Sequence, residues 1–182
     1  MVIFLNGTSS SGKTTLSHAL QNALADVYMH VSVDTYLSQI APCDLNNPSL
    51  MEERFPKIVA GFHESAAAIA RAGNNVIVDY VLQQPEWLSD CIRAFSGLPV
   101  VFVGVHCPLE TLEEREATRG DRKIGAARFQ LSRVHQHGLY DLELDTSRLS
   151  TEACVEKIQW YLTSGAQPSA FDRLSDDLSF PR

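Results

Sequence analysis

The sequence predicts an α/β fold, a five-stranded parallel sheet with helices on both faces. Short runs of β-forming apolar residues are nearly unbroken rather than alternating with polar ones, as strands buried on both faces require. These runs alternate with segments of helical period. Gly7, Asp34 and Asp79 each stand just past the end of such a run. Ligands on open parallel sheets bind beyond the carboxyl ends of the strands, so three separate chain segments are expected to meet at one edge.

Val2-Ile3-Phe4-Leu5 is the first run, and Asn6-Gly7 is a turn signal that stops it. Lys13 to Ala25 is helical, with Leu16, Leu20 and Leu24 four apart on one face. Val31-Ser32-Val33 reads as a second strand ending at Asp34. Tyr36 to Pro56 is expected to be irregular, because Pro42, Pro48 and Pro56 interrupt it. The Ala-rich stretch Ile58 to Ala72 is helical, and Gly73 stops it. Val76-Ile77-Val78 is a third strand closing on Asp79, Pro85 to Phe95 a helix, and Val100 to Val105 a fourth strand. A Glu-rich helix runs from Pro108 to about Arg119, and Leu142-Glu143-Leu144 is a fifth strand. Ser150 is placed to cap a helix whose apolar face carries Cys154, Ile158 and Leu162. Residues 1–163 read as a single domain with a lid at about 119–138, and the Ser-, Pro-, Gly- and Asp-rich residues 164–182 as a loosely ordered tail.

Composition agrees with one ordinary core: 182 residues, 20% charged and 45% hydrophobic, against roughly a quarter and nearly half in soluble domains. The net charge of −7 argues against wrapping nucleic acid over a broad face. Cys43, Cys91, Cys107 and Cys154 form no CxxC pair, and Cys107 and Cys154 lie in apolar runs, which suggests buried free thiols. The N-terminus opens directly into a strand, and no apolar run reaches the ~20 residues of a membrane helix. A reducing, cytoplasmic setting without a membrane partner is the expectation.

Gly7-Thr8-Ser9-Ser10-Ser11-Gly12-Lys13-Thr14, followed by Thr15, has the GxxxxGK[ST] spacing of a P-loop, with a strand before it and a helix after it. Glycine lets the backbone N–H groups curl round an anion. The helix start adds unpaired N–H groups and about half a positive charge. These residues are therefore expected to bind a nucleoside triphosphate, with ATP the best fit. Lys13 would reach the β- and γ-phosphates, and the Thr14 hydroxyl would coordinate Mg²⁺. Asp79 is a second candidate metal ligand, the alternative being a turn residue.

No Asn-Lys-x-Asp base-reading motif, DxxG after the third strand, or LSGGQ signature is present. A short P-loop chain with a late basic insertion has the build of a small-molecule kinase. Arg115, Arg119, Arg122, Lys123, Arg128 and Arg133 supply the positive charge that phosphoryl transfer needs, with Gly120, Gly125 and Gly138 as hinges. The alternative is a solvated helix face paired with Glu113, Glu114 and Glu116. Asp34 fits a base that accepts the proton of a hydroxyl acceptor, or else a helix cap for the turn beginning at Thr35. His135 and His137 read as polar loop residues, and the Met and aromatic residues as core.

Taken together, these segments resemble the chloramphenicol phosphotransferase family from Val2 to about Leu162. The likeness rests on Ile3-Phe4-Leu5-Asn6-Gly7 leading into Ser9-Ser10-Ser11-Gly12-Lys13, on Val33-Asp34-Thr35, and on Val76-Ile77-Val78-Asp79. Its narrowest part is Glu116-Ala117-Thr118-Arg119-Gly120-Asp121-Arg122, then Val134-His135 and Tyr140-Asp141-Leu142-Glu143-Leu144-Asp145-Thr146. The resemblance implies the strand order and lid of nucleotide and shikimate kinases, and Asp34 as catalytic base. Arg119 and Arg122 are then expected to neutralise charge as the lid closes, and the partner is a small-molecule hydroxyl acceptor. Two departures stand out: Tyr80 occupies the place of the family's second acid, and Tyr36 to His63 is dissimilar. The acceptor could be chloramphenicol, a nucleoside, a sugar nucleotide or another metabolite. A nucleotide-dependent switch is the rival of a different class.

Overall fold

The computed structural model describes residues 1–119 and 125–179, with only the backbone described at 119 and 177–179. β1 (Val2–Asn6), β2 (Tyr28–Ser32), β3 (Asn75–Tyr80), β4 (Val100–His106) and β5 (Leu142–Asp145) form one parallel sheet in the order β2-β3-β1-β4-β5. All four adjacent pairs run parallel, with Val2 opposite Val76 on one side and Val100 on the other. The predicted five-stranded sheet is therefore present, with the phosphate-loop strand at its centre.

Alternation along β1 feeds two cores. Val2 and Phe4 join a cluster with Phe62, Phe95, Phe102 and Phe171, under α4 (Pro48–Arg71), α5 (Pro85–Ala94) and α9 (Ala170–Ser179). Ile3 and Leu5 face Leu16, Leu20, Val103 and Ile158, under α1 (Lys13–Ala23) and α8 (Thr151–Thr163). Period-2 side chains on a sheet covered by helices require this two-sided burial. Ser150 does cap α8, its hydroxyl accepting from the Ala153 N–H at 3.2 Å. Cys91, Cys107 and Cys154 are buried free thiols, and Cys43 is exposed.

Three expectations are corrected. The segment from Tyr36 to Pro56 is mostly helical, comprising α2 (Val33–Leu37), α3 (Pro42–Leu45) and the first part of α4. Pro42 and Pro48 each sit in the opening turn of a helix, where a missing N–H costs nothing. Asn47 caps α4 by accepting from the Leu50 N–H, and Pro56 is carried inside that helix. Val33 belongs to α2 rather than to a strand. The region after Ser164 contains α9, whose Ala170, Phe171 and Leu174 are buried in the core. The i, i+1, i+4 spacing of those three residues makes a short amphipathic face within a polar composition.

The Phe171 ring lies 4.9 Å from Phe102 and 5.5 Å from Phe4, so α9 closes one core rather than trailing from it. Phe171→Ala is expected to lower unfolding stability by about 3 kcal/mol, the size of a buried aromatic deletion, with a matching shift of the urea midpoint. A midpoint unchanged by the substitution would mean that α9 contributes little to the core.

Candidate active site

The loop between β1 and α1 lies against β4. A Cβ on Gly7 would stand 2.4 Å from the Val105 carbonyl oxygen and 2.8 Å from Ser11 Oγ, so only glycine fits. Ser10 (φ 62°) and Gly12 (φ 92°) take left-handed conformations that curl the chain, and the Ser11 N–H donates to the Thr8 carbonyl at 3.3 Å. Gly12 begins α1 without a side-chain cap. Helix-start N–H groups therefore face the loop's concavity, an arrangement suited to an anion. The buried hydroxyls of Ser10 and Ser11 have no hydrogen-bond partner among the described residues. Together with the Gly7 cradle, they fit a phosphate chain.

Lys13 is buried. Its ammonium donates to the Gly7 carbonyl at 2.9 Å and the Thr8 carbonyl at 2.7 Å, and lies 3.9 Å from Asp79 Oδ1. The Thr14 hydroxyl donates to Asp79 Oδ2 at 2.7 Å, and His30 Nε2 lies 3.5 Å from the same oxygen. Asp79 sits inside β3, opposite Leu5 and Ser32, rather than past its end as the sequence suggested. Burial alone would raise its carboxyl pKa. The His30 hydrogen bond, the Lys13 charge and the Thr14 hydroxyl outweigh burial and hold the pKa below its ordinary value. Hydroxyl and carboxylate oxygens side by side are a donor set suited to Mg²⁺. Among the described residues, no group of three or more His, Cys, Asp or Glu side chains is arranged to hold a metal without help from a ligand.

Asp34 is the second residue of α2, two after the N-cap Ser32, so it is not the cap the alternative reading proposed. It lines a cavity of about 300 Å³ together with Lys13, Thr14 and Asp79. The P-loop, the end of β3 and the segment after β2 thus meet at one edge, as the sequence implied. Phe55, Tyr80 and Trp87 form an aromatic wall on the far side of this cavity, with Phe55–Trp87 centroids 6.1 Å apart and Tyr80–Trp87 5.7 Å apart. A second cavity, of about 540 Å³, opens across the loop between Ser10, Gly12, Thr15, Arg115, Thr146 and Cys154.

The lid divides. Arg122 and Lys123 lie outside the described residues, as does the side chain of Arg119, whose backbone closes α6 (Leu109–Arg119). Arg115 is a tie: it donates to the Thr146 carbonyl at 2.8 Å, to Thr146 Oγ1 at 3.1 Å and to the Ser10 carbonyl at 3.4 Å. Arg128 pairs with Glu113 at 2.8 Å on the surface, and the Arg133 guanidinium stacks 4.0 Å over Phe129. Glu116 is buried instead of solvated. It accepts from the Gly125 and Ala127 N–H groups, and so caps α7 (Ala126–Val134) from the preceding helix.

Several functional neighbours were invisible in the sequence. Gln130 of α7 accepts from the Ser9 N–H at 2.7 Å. Asn6, read only as a turn residue, is fully buried. It accepts from the Leu82 N–H at 2.9 Å and donates to the Val134 carbonyl and the Tyr140 hydroxyl, each at 2.8 Å. His135 and His137 lie in the turn after α7, as the sequence suggested, but half-buried as parts of this knot. Tyr140 bonds His135 Nδ1 at 2.6 Å, and His137 stacks on Phe102. Apart from the pairing of His135 with Tyr140, these contacts join residues far apart in the chain, and no local pattern encodes them.

A family model described as chloramphenicol phosphotransferase-like protein matches residues 1–163. A Mycobacterium tuberculosis (strain H37Rv) protein, described only provisionally as an O-phosphotransferase, is 32% identical over 195 residues, covering 95% of this chain and 87% of its own. A sugar kinase from Janibacter sp. has the same fold, with TM-score 0.63 and 22% identity over 88% of this chain and 93% of its own. So does a Mycobacterium tuberculosis APS kinase solved with AMPPNP and APS, at 0.65 and 17% over 88% and 96%.

The half-buried His135 gives a pH signature. Burial, with the charges of His106, His137 and Lys13, lowers the His135 pKa from 6.5 to about 3. As pH falls below 6.5 the unfolded chain takes up a proton that the folded chain refuses until about pH 3. His135 therefore has no effect on stability above that window and a destabilising one that grows through it. Between pH 6 and 5, His135→Gln is expected to flatten the fall in stability by up to about 1.4 kcal/mol per pH unit, less whatever solvent contact screens. Parallel slopes for the two proteins in denaturant titrations would refute the assignment.

Proposed function

The chain belongs to the chloramphenicol phosphotransferase-like family and is a phosphotransferase of the kinase type, and from that premise we propose that it transfers the γ-phosphate of ATP to a hydroxyl of a small molecule. The observation that carries this reading is the convergence of Lys13, the Thr14–Asp79 pair and Asp34 on one cavity. A nucleotide switch needs neither a carboxylate such as Asp34 in the cavity beside the loop nor the wall of Phe55, Tyr80 and Trp87, and their presence supports an acceptor.

Bound Mg²⁺ would supply neutralisation of the triphosphate's charge. Thr14 and Asp79 are the residues to hold it. Gly7 to Thr15 cradle the triphosphate, and Lys13 exchanges its loop carbonyls for phosphate oxygens. The nucleoside end takes the 540 Å³ cavity beside Arg115 and Thr146. Asp34 takes the proton of the acceptor hydroxyl as its oxygen bonds the γ-phosphorus and the bond to the β-phosphate oxygen breaks. Arg119 and Arg122 are assigned to neutralising charge in that transition state.

Chloramphenicol is the first acceptor to test. It is neutral and carries a primary hydroxyl and a ring that suits the wall of Phe55, Tyr80 and Trp87. ADP release is expected to rise on its addition, with the phosphorylated product visible by mass at a kcat/KM on the order of 10⁴ M⁻¹s⁻¹ or above. Absence of product while another alcohol turns over would reject the antibiotic and keep the kinase. Asp34→Asn is expected to cut transfer by about 10²–10⁴-fold with ATP affinity nearly unchanged. Loss of ATP binding in that variant would move Asp34 to the metal shell or to folding.

A further inference from the structure

Behind the aromatic wall three buried polar atoms have no hydrogen-bond partner among the described residues: the Tyr80 hydroxyl and both ring nitrogens of His63. Tyr80 is 3% exposed and His63 2%. The two rings meet edge to face, 5.2 Å between centroids at 79°. Phe62 lies 4.9 Å from the Tyr80 ring on the same side. A phenylalanine at either position would pack in this apolar setting without stranding a polar atom, so the unpaired groups cost stability that a hydrogen bond would return. Tyr80 also lines the 300 Å³ cavity in which Asp34 stands. One member of the unpaired cluster is therefore a wall residue of the acceptor site.

We propose that Tyr80, backed by His63, forms a hydrogen-bonding subsite that selects acceptors carrying a second, uncharged polar group remote from the reacting hydroxyl. The proposal rests on the kinase reading of the same cavity. A neutral phenol can donate or accept, so a hydroxyl, amide or carbonyl group brought to Tyr80 from the cavity would satisfy it, with His63 packed behind. Burial lowers the His63 pKa to about 4 against the opposing charge of Asp90, so the imidazole is neutral near pH 7. Burial, Cys91 and Asp90 raise the Tyr80 pKa, so the phenol keeps its proton. A carboxylate or phosphate placed here would lose water and meet no counter-ion among the described residues. Among the described residues lining the cavity, Lys13 alone is a cation, and it serves the triphosphate. The subsite therefore separates neutral alcohols from anionic ones.

Three probe alcohols share one ring and one reacting hydroxyl: 2-phenylethanol, 2-(4-hydroxyphenyl)ethanol and 4-(2-hydroxyethyl)benzoate. Their binding is measured calorimetrically with Mg·AMP-PNP present, and their phosphorylation by mass with Mg·ATP. The hydroxyphenyl probe is expected to bind about tenfold tighter than 2-phenylethanol, the scale of one net hydrogen bond, and the benzoate no tighter than 2-phenylethanol. Tyr80→Phe should equalise the first two, and melt at the same temperature or higher because a stranded hydroxyl is gone. Preferential binding without phosphorylation would support the subsite and overturn the kinase reading. Phosphorylation with equal preference in wild type and Tyr80→Phe would overturn the subsite alone. It would equally be overturned by tightest binding of the benzoate, by no binding of any probe, or by a lower melting temperature for Tyr80→Phe, which would place the hydroxyl's partner inside the fold.

Discussion

The close seating of Gly7 on β4 governs the site. With 2.4 Å between a would-be Cβ and the Val105 carbonyl, the loop can leave the central strand only by passing flush against its neighbour. That passage fixes where α1 starts and in which direction its first N–H groups point. It also places Lys13 and Thr14 beside β3, where Asp79 is held between Leu5 and Ser32. The phosphate cradle, the ammonium and the metal-type oxygen pair therefore inherit their geometry from a backbone contact rather than from one another. The left-handed Ser10 and Gly12 are the local cost of the sharp curl, sustained because the cores on both faces hold the strands rigid.

The loop also divides the ligand space. On one side lies the cavity with Asp34 and the aromatic wall; on the other lies the larger one rimmed by Arg115 and Thr146. Two long-range ties bind the late helices to this divider: Gln130 to the Ser9 N–H, and Arg115 to the Ser10 carbonyl and Thr146. Asn6, one residue before the loop, holds the Leu82 N–H beside the aromatic wall and the Val134 carbonyl at the end of α7. A single amide thus spans three segments, each paired with good geometry. Buried polar networks of this kind specify one arrangement when fully satisfied.

What the sequence made legible follows from the physics of each element. Strands buried on both faces announce themselves as apolar runs, and the GxxxxGK[ST] spacing carries its own mechanism. The short first turn of α2 hid behind Val33, whose β-branched side chain reads as strand, and this misplaced the setting of Asp34. Prolines 42 and 48 looked like interruptions because composition does not reveal that they open helices. Phe171 and Leu174 were lost in a polar stretch, since a helix that docks one narrow face needs few apolar residues. Asn6, Gln130, Trp87 and Tyr80 have roles defined wholly by what they meet across the fold. Arg115 and Glu116 were read as parts of a charged lid, yet burial turned one into a bracket and the other into a cap. The chemistry of Arg119 and Arg122 remains the reading that the sequence and the family support.

Charge at the junction of the two cavities constrains the order of assembly. Asp34 and Asp79 both face the space beside the loop, and Lys13 is the one cation among the described lining residues. A bare triphosphate entering there would add several negative charges to two carboxylates and one ammonium. The Asp79 pKa lies below its ordinary value, so this carboxylate keeps its charge and cannot relieve the repulsion by taking up a proton near neutrality. On the proposed reading a divalent cation held by Asp79 and Thr14 would offset this charge. Asp34 lines the same cavity but takes no part in the Thr14–Asp79 pair, and on the proposed reading it is left to face the acceptor hydroxyl.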